Sequence, residues 1–206
     1  MIISEILSNK ITKVMEDNQI IKSELYPAYQ FCFEYIFDII IYNASIIIIG
    51  YLLHSFFLSL LYITIMTPLR KFSGGIHAPT KLLCSILSFS IYFSVIFLSN
   101  IDYQNYFGNL RSFNYSFVLL VVYFISVLLI IIISPVVHPN KPIDNKNKTR
   151  LKSLLILTLA VISIFFLYFT KKGLQKYYLL IIMCIIIVLI SLILGKIIYR
   201  RESNES

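Results

Sequence analysis

The sequence predicts an all-α polytopic membrane protein, with about five to six transmembrane helices and an N-terminal amphipathic helix. Three observations carry that prediction. Of 206 residues, 58% are hydrophobic and only 14% charged, with mean hydropathy +0.83; a soluble domain of this length needs more polar surface. Runs such as "IIIIGYLL", "FVLLVVYFISVLLIIII" and "LLIIMCIIIVLISLIL" belong to segments long enough to cross a bilayer. The formal charge of +8 is explained by membrane orientation, because basic residues gather in cytoplasmic loops. Nucleic acid is not an expected partner.

Residues 1–206 are expected to form a single integral membrane domain, with an interfacial segment at 1–38 and transmembrane helices over 39–200. At the N-terminus, Ile3, Ile6 or Leu7, Ile11 and Val14 recur at helical spacing, with Glu5, Asn9, Lys10, Lys13 and Glu16 elsewhere. This is an amphipathic helix for the membrane surface or for the protein itself. Charges interrupt the segment before any apolar core builds up, so it is not read as a signal peptide. A second segment begins near Pro27 and carries Glu24, Glu34 and Asp38, too acidic for an easy lipid-facing span. Residues 39–66 are continuously apolar, ~42 Å if helical. With no turn chemistry dividing them, they read as one long tilted helix that Pro68 ends. Further spans are expected at 82–98, 114–133, 153–170 and 177–195.

Basic residues assign the sides. Arg70, Lys71 and Lys81, then Lys141, Lys146, Lys148, Arg150 and Lys152, and finally Lys196, Arg200 and Arg201 fall on one side; Arg111, Lys171, Lys172 and Lys176 fall on the other. The richer side is expected to be cytoplasmic. The N-terminal segment then lies outside with five spans, or inside if residues 25–43 also cross.

Cys32, Cys84 and Cys184 are odd in number and unpaired in spacing, so neither a disulfide framework nor a structural metal is expected, and no cofactor. The informative stretch is "RKFSGGIHAPTKLLC", Arg70 to Cys84. A thiolate attacks carbonyls far better than a thiol, and an imidazole can take the thiol proton and later protonate a leaving amine. His77 and Cys84 are seven residues apart, ~10.5 Å along a helix axis, too far for a direct hydrogen bond. Pro79 suits a first helical turn and pushes Ala78 toward an extended conformation. A helix starting near Pro79 leaves His77 outside it, on a Gly74-Gly75 arm that can fold back. The glycines also allow close approach to a peptide carbonyl and could help form an oxyanion site. The bland alternative is an ordinary Gly-Gly-Pro connection with a small buried cysteine.

The stretch resembles the signature of the accessory gene regulator B (AgrB) family, bacterial membrane endopeptidases that process quorum-sensing propeptides. It has the Arg, the Gly before an Ile-like residue and His-Ala, and the Cys seven positions after the His. "SPVVHPNKPI", Ser134 to Ile143, is similar to the family's Pro-rich, Lys-Pro-containing loop. The resemblance implies Cys84 as nucleophile and His77 as general base and acid. Arg70 and Gly75 match further important positions; Arg70 either binds the propeptide or anchors a helix end at the headgroups, and Gly74 supports the turn. Ser73, Asn140 and Asp144 are candidates for a third catalytic group. The family's propeptides have acidic C-terminal tails, so the run holding Lys141, Lys146, Lys148 and Arg150 could attract substrate as well as fix orientation.

The resemblance thus implies a cysteine endopeptidase of the bacterial cell membrane that cleaves an AgrD-like propeptide and enables its cyclisation to a thiolactone or lactone. Membrane lipid and a second copy of the chain are the other expected partners, and the active site is expected to face the cytoplasm. The competing class is a non-catalytic peptide exporter or receptor subunit. His54 is read as bonding another helix within the long span, His138 as a loop residue and Cys184 as packing. Cys32 lies near Glu34, where a carboxylate disfavours thiolate formation.

Overall fold

The computed structural model describes residues 2–75, 80–101, 115–136 and 145–205. Apart from one isolated bridge, the regular structure of these residues is helical: α1 Ile2–Asp17, a 3-10 turn at Ser23–Leu25, α2 Tyr26–Leu52, α3 Phe56–Ser73, α4 Lys81–Asn100, α5 Tyr115–Ile133, α6 Asn145–Lys171 and α7 Gln175–Glu205. Among the described residues, four stretches are long and apolar enough to cross a membrane: Ser23–Leu52, Leu82–Asn100, Lys146–Lys171 and Gln175–Tyr199. Phe117–Ile133 is a shorter apolar helix. The chain is an all-α membrane protein.

Two compact units divide it, one of Met1–Phe56 with Ala78–Phe89, the other of Phe57–His77 with Ser90–Ser206. In the first, α1 packs on α2, so the N-terminal helix lies on the protein. Its buried stripe is Ser4, Ser8 and Thr12 rather than the apolar residues, and Ile6, Leu7, Ile11 and Val14 stay exposed. Small side chains four residues apart let two backbones approach closely, which favours association in lipid. Two of these hydroxyls bond within the helix, Ser8 Oγ donating to the Glu5 carbonyl and Thr12 Oγ1 to the Ser8 carbonyl. The acidic segment that followed Pro27 in the sequence forms the first half of α2, with Pro27 in its first turn, where a missing N–H costs nothing.

The expectation of one helix over 39–66 is corrected by a break at Leu53–Ser55. His54 N–H donates to the Tyr51 carbonyl and Ser55 N–H to that of Gly50, while His54 takes φ +52°. This is a Schellman ending with a left-handed residue. Histidine is among the side chains that tolerate that region, and glycine-based turn reading misses it. Gln19, at φ +56°, ends α1 the same way, and Gly173 ends α6 with the residue type the motif favours. Replacing His54 by glycine is expected to relieve left-handed strain, partly offset by chain entropy, for a gain of about 0.5–1 kcal/mol. A thermal midpoint raised by about 2 °C for the full chain in detergent checks it. His54 is exposed at this cap.

Pro68 does not end α3; the helix runs on to Ser73 with the proline inside it. Membrane helices tolerate such interruptions because neighbours re-satisfy the freed backbone group. In the second unit, α3 buries Leu58, Ser59, Tyr62, Ile65, Met66, Leu69 and Ser73 along one stripe. Ser59 and Tyr92 share a 2.7 Å hydrogen bond, and Tyr62 meets Tyr92 edge-on. Helix α7 packs against α5 and α6 and is buried along its middle, from Tyr178 through Leu192 by way of Cys184. A second hydroxyl pair, half-buried, is Tyr123 with Ser163 at 2.9 Å, where Tyr123 stacks on Phe166. Bonding these hydroxyls to each other removes the cost of leaving them unpaired in an apolar interior.

Candidate active site

The site is built where α3 runs out. Arg70 and Lys71 occupy its last turn, both exposed, and Ser73 closes it with no exposed surface. The Ser73 carbonyl then accepts two hydrogen bonds from beyond α5: the Val136 N–H at 3.1 Å and the Ser134 hydroxyl at 3.1 Å. Ser73 Oγ donates to the Gly74 carbonyl at 3.2 Å. Gly74 and Val136 pair as an isolated parallel bridge. The two stretches that carry the sequence signature, sixty residues apart, therefore meet through their backbones.

This meeting explains the two glycines. Gly74 has φ +76° and Gly75 φ +125°, conformations that side chains rarely adopt. A Cβ on Gly74 would run into the Val136 carbonyl oxygen, and one on Gly75 would lie 2.6 Å from Ser191 Oγ of α7. The close approach that the glycines permit is to the protein's own chain at Val136 and Ser191. From the same helix, the Tyr199 hydroxyl donates to the Gly75 carbonyl at 3.2 Å. Ser191 and Tyr199, eight residues apart, share one face of α7.

On the other flank of the signature, Thr80 caps α4. Its Oγ1 accepts from the Leu83 N–H at 3.3 Å and its carbonyl from the Cys84 N–H at 3.1 Å, the usual way a threonine satisfies free N–H groups of a first turn. The helix thus begins at Lys81, two residues beyond Pro79. Cys84 sits in the opening turn, half-buried and as a free thiol. Helix N-termini favour negative charge.

Among the other sequence candidates, His77, His138, Asn140, Lys141 and Asp144 lie outside the described residues. Lys146, Lys148 and Arg150 are exposed in the opening turns of α6. Ser73, the described candidate for a third group, is buried and bonded to its own neighbour's carbonyl. Cys184 is fully buried and Cys32 exposed. Among the described residues, no three His, Cys, Asp or Glu side chains gather in a way that could hold a metal ion. Sequence reading missed Ser191 and Tyr199. A serine in an apolar helix and a tyrosine beside terminal arginines read as packing and as an interfacial anchor, and nothing local ties either to a glycine more than a hundred residues earlier.

Comparison with known proteins converges on one family. No solved structure matches the chain. A Clostridium perfringens (strain SM101 / Type A) protein named as AgrB-like is 28% identical over 197 residues, covering 94% of this chain and 84% of that one. The model of accessory gene regulator B matches residues 8–193, which include both signature stretches and Ser191. The chain therefore belongs to the accessory gene regulator B (AgrB) family, membrane proteins of agr quorum-sensing signal processing.

Proposed function

We propose that this protein is a membrane-embedded cysteine endopeptidase that removes the C-terminal tail of an AgrD-like propeptide, with Cys84 as nucleophile and His77 as base and acid. The observation that carries the reading is the pairing of the two signature stretches at Gly74 and Val136, within a family match spanning nearly the whole chain. That pairing fixes the backbone three residues before His77, and the Thr80 cap fixes the helix that presents Cys84.

In the reaction, His77 takes the thiol proton and the Cys84 sulfur attacks the carbonyl before the tail. The C–N bond breaks, the amine leaves with the proton returned by His77, and a Cys84 thioester remains. A substrate thiol, giving its proton to His77, then attacks the thioester. A new C–S bond forms and the Cys84 sulfur leaves to recover its proton. One thioester replaces another, so the ring-closing exchange itself involves little change in energy; a substrate serine would give a lactone. The exposed Lys146, Lys148 and Arg150 suit an acidic tail.

A cytoplasmic site follows if α2 and α3 each cross the membrane. Counting the helices on either side of the break at His54 as separate crossings makes six in place of five. That even number would put the N-terminal lysines, the signature, the α6 basic run and the C-terminal arginines on one side, in keeping with positive-inside topology. The experiment is to mix proteoliposomes of the full chain with an AgrD-like propeptide, quench in acid and measure intact mass. A Cys84 adduct of the propeptide lacking its tail, released by hydroxylamine, is the expected result. Tail release with no adduct on Cys84, and no loss of rate when that thiol is alkylated, would sink the proposal.

A further inference from the structure

The Gly75 carbonyl is held from α7, and no part of the proposed chemistry accounts for it. We infer that Tyr199 is a positioning residue: its hydroxyl, with Ser191 beneath, holds the peptide plane from which the His77-bearing segment departs. The inference rests on the proposed role of His77.

Four observations carry it. The Tyr199 hydroxyl donates to the Gly75 carbonyl at 3.2 Å across 124 residues of sequence, so tertiary structure alone creates the contact. Gly75 takes φ +125°, a conformation that an unconstrained glycine leaves readily because mirror-image regions are open to it. A Cβ there would lie 2.6 Å from Ser191 Oγ, so the segment is seated directly on the face of α7 that carries Tyr199. Upstream, the Ser73 carbonyl is already fixed by Ser134 and Val136. The two glycines therefore bridge a fixed helix end and a carbonyl held by Tyr199, two residues before His77. Rotation about Gly75 changes the direction in which the chain leaves toward His77, two residues on. A base misplaced by about 1 Å loses much of its rate contribution.

The substitution that isolates the hydroxyl is Tyr199→Phe, which keeps the ring and its packing. Two measurements on the full chain in detergent micelles decide the matter. The first is amide hydrogen exchange of the peptide spanning residues 74–78. Loss of one hydrogen bond is expected to speed it about threefold to tenfold, with exchange in α5 and α6 unchanged. The second is the rate at which iodoacetamide alkylates Cys84 near neutral pH, read by peptide mass spectrometry beside exposed Cys32 as an internal control. His77→Ala is expected to slow Cys84 alkylation, and Tyr199→Phe to slow it by about threefold to tenfold, both leaving Cys32 unchanged.

Unchanged exchange at 74–78 in Tyr199→Phe overturns the inference whatever the alkylation rates. Faster exchange with His77→Ala slowing Cys84 and Tyr199→Phe leaving it untouched also overturns it, because the contact is then structural only. If His77→Ala itself has no effect on Cys84, the catalytic pairing of the proposed function fails; the tyrosine's role as a positioner of that base then falls with it, even where exchange is faster. Ser191→Ala, which removes the Oγ under Gly75 and leaves Tyr199 in place, is expected to change either measurement less than Tyr199→Phe. A larger effect would assign the role to Ser191 instead.

Discussion

Cys84→Ala is expected to abolish tail release from a co-expressed AgrD-like propeptide, with the variant present in the membrane at wild-type level. Loss of a covalent nucleophile costs roughly 10⁴- to 10⁶-fold in enzymes where the whole catalytic set acts as a unit. Folding should survive, because Cys84 is half-buried in the first turn of α4 and alanine suits that turn. The capping bonds at Thr80 involve backbone groups that the change leaves in place. Cys84→Ser separates two parts of the mechanism. It retains an oxygen nucleophile but gives an oxyester, from which transfer to a substrate thiol runs uphill, so linear product by hydrolysis is expected in place of cyclic product. Mass spectrometry of the released peptides tells the outcomes apart: unchanged cyclic product from both variants would remove Cys84 from the reaction.

Gly75→Ala carries the second large effect, for a steric and a conformational reason. Holding a residue with a Cβ at φ +125° costs about 1–3 kcal/mol. That Cβ also lies 2.6 Å from Ser191 Oγ, so the hydroxyl must turn aside, a smaller cost of about 0.5–1.5 kcal/mol where its χ1 leaves a staggered well. Tail release is expected to fall by two orders of magnitude or more if the segment leaves this seat. The two terms can be separated, since the next Ser191 atoms lie 3.6 Å from the added carbon, an ordinary contact. Ser191→Ala should therefore restore the steric share of the loss in the double variant and leave the conformational share. A double variant no better than Gly75→Ala alone would mean that Ser191 is not what the alanine meets.

Membrane class, helix content and most spans were legible in the sequence because a bilayer makes hydropathy decisive, satisfying backbone groups only in helices or closed barrels. Local chemistry was legible too. Pro79 marked the start of α4 to within two residues, and the stretch from Arg70 to Cys84 pointed to the family. Reading failed where the deciding contact was not local or the residue was atypical. The break at His54 uses a left-handed histidine where glycine is the expected marker, and Pro68 was tolerated inside α3. The N-terminal helix buried Ser4, Ser8 and Thr12 because, in packing against α2, close approach counted for more than apolarity.

By itself, then, the sequence determined what each segment is: which runs can enter lipid, where α4 can start, and which stretch carries the family signature. Tertiary structure decided what those segments are held by. The Ser73 carbonyl takes both of its bonds from a stretch sixty residues on, and the Gly75 carbonyl takes one from Tyr199 at the far end of the chain. Hydropathy and turn propensity are properties of neighbours along the chain, whereas a hydrogen bond across 124 residues exists only once α7 has packed. The glycines mark the difference: in the sequence they could serve a turn or a substrate, and in the fold their missing side chains make room for Val136 and Ser191.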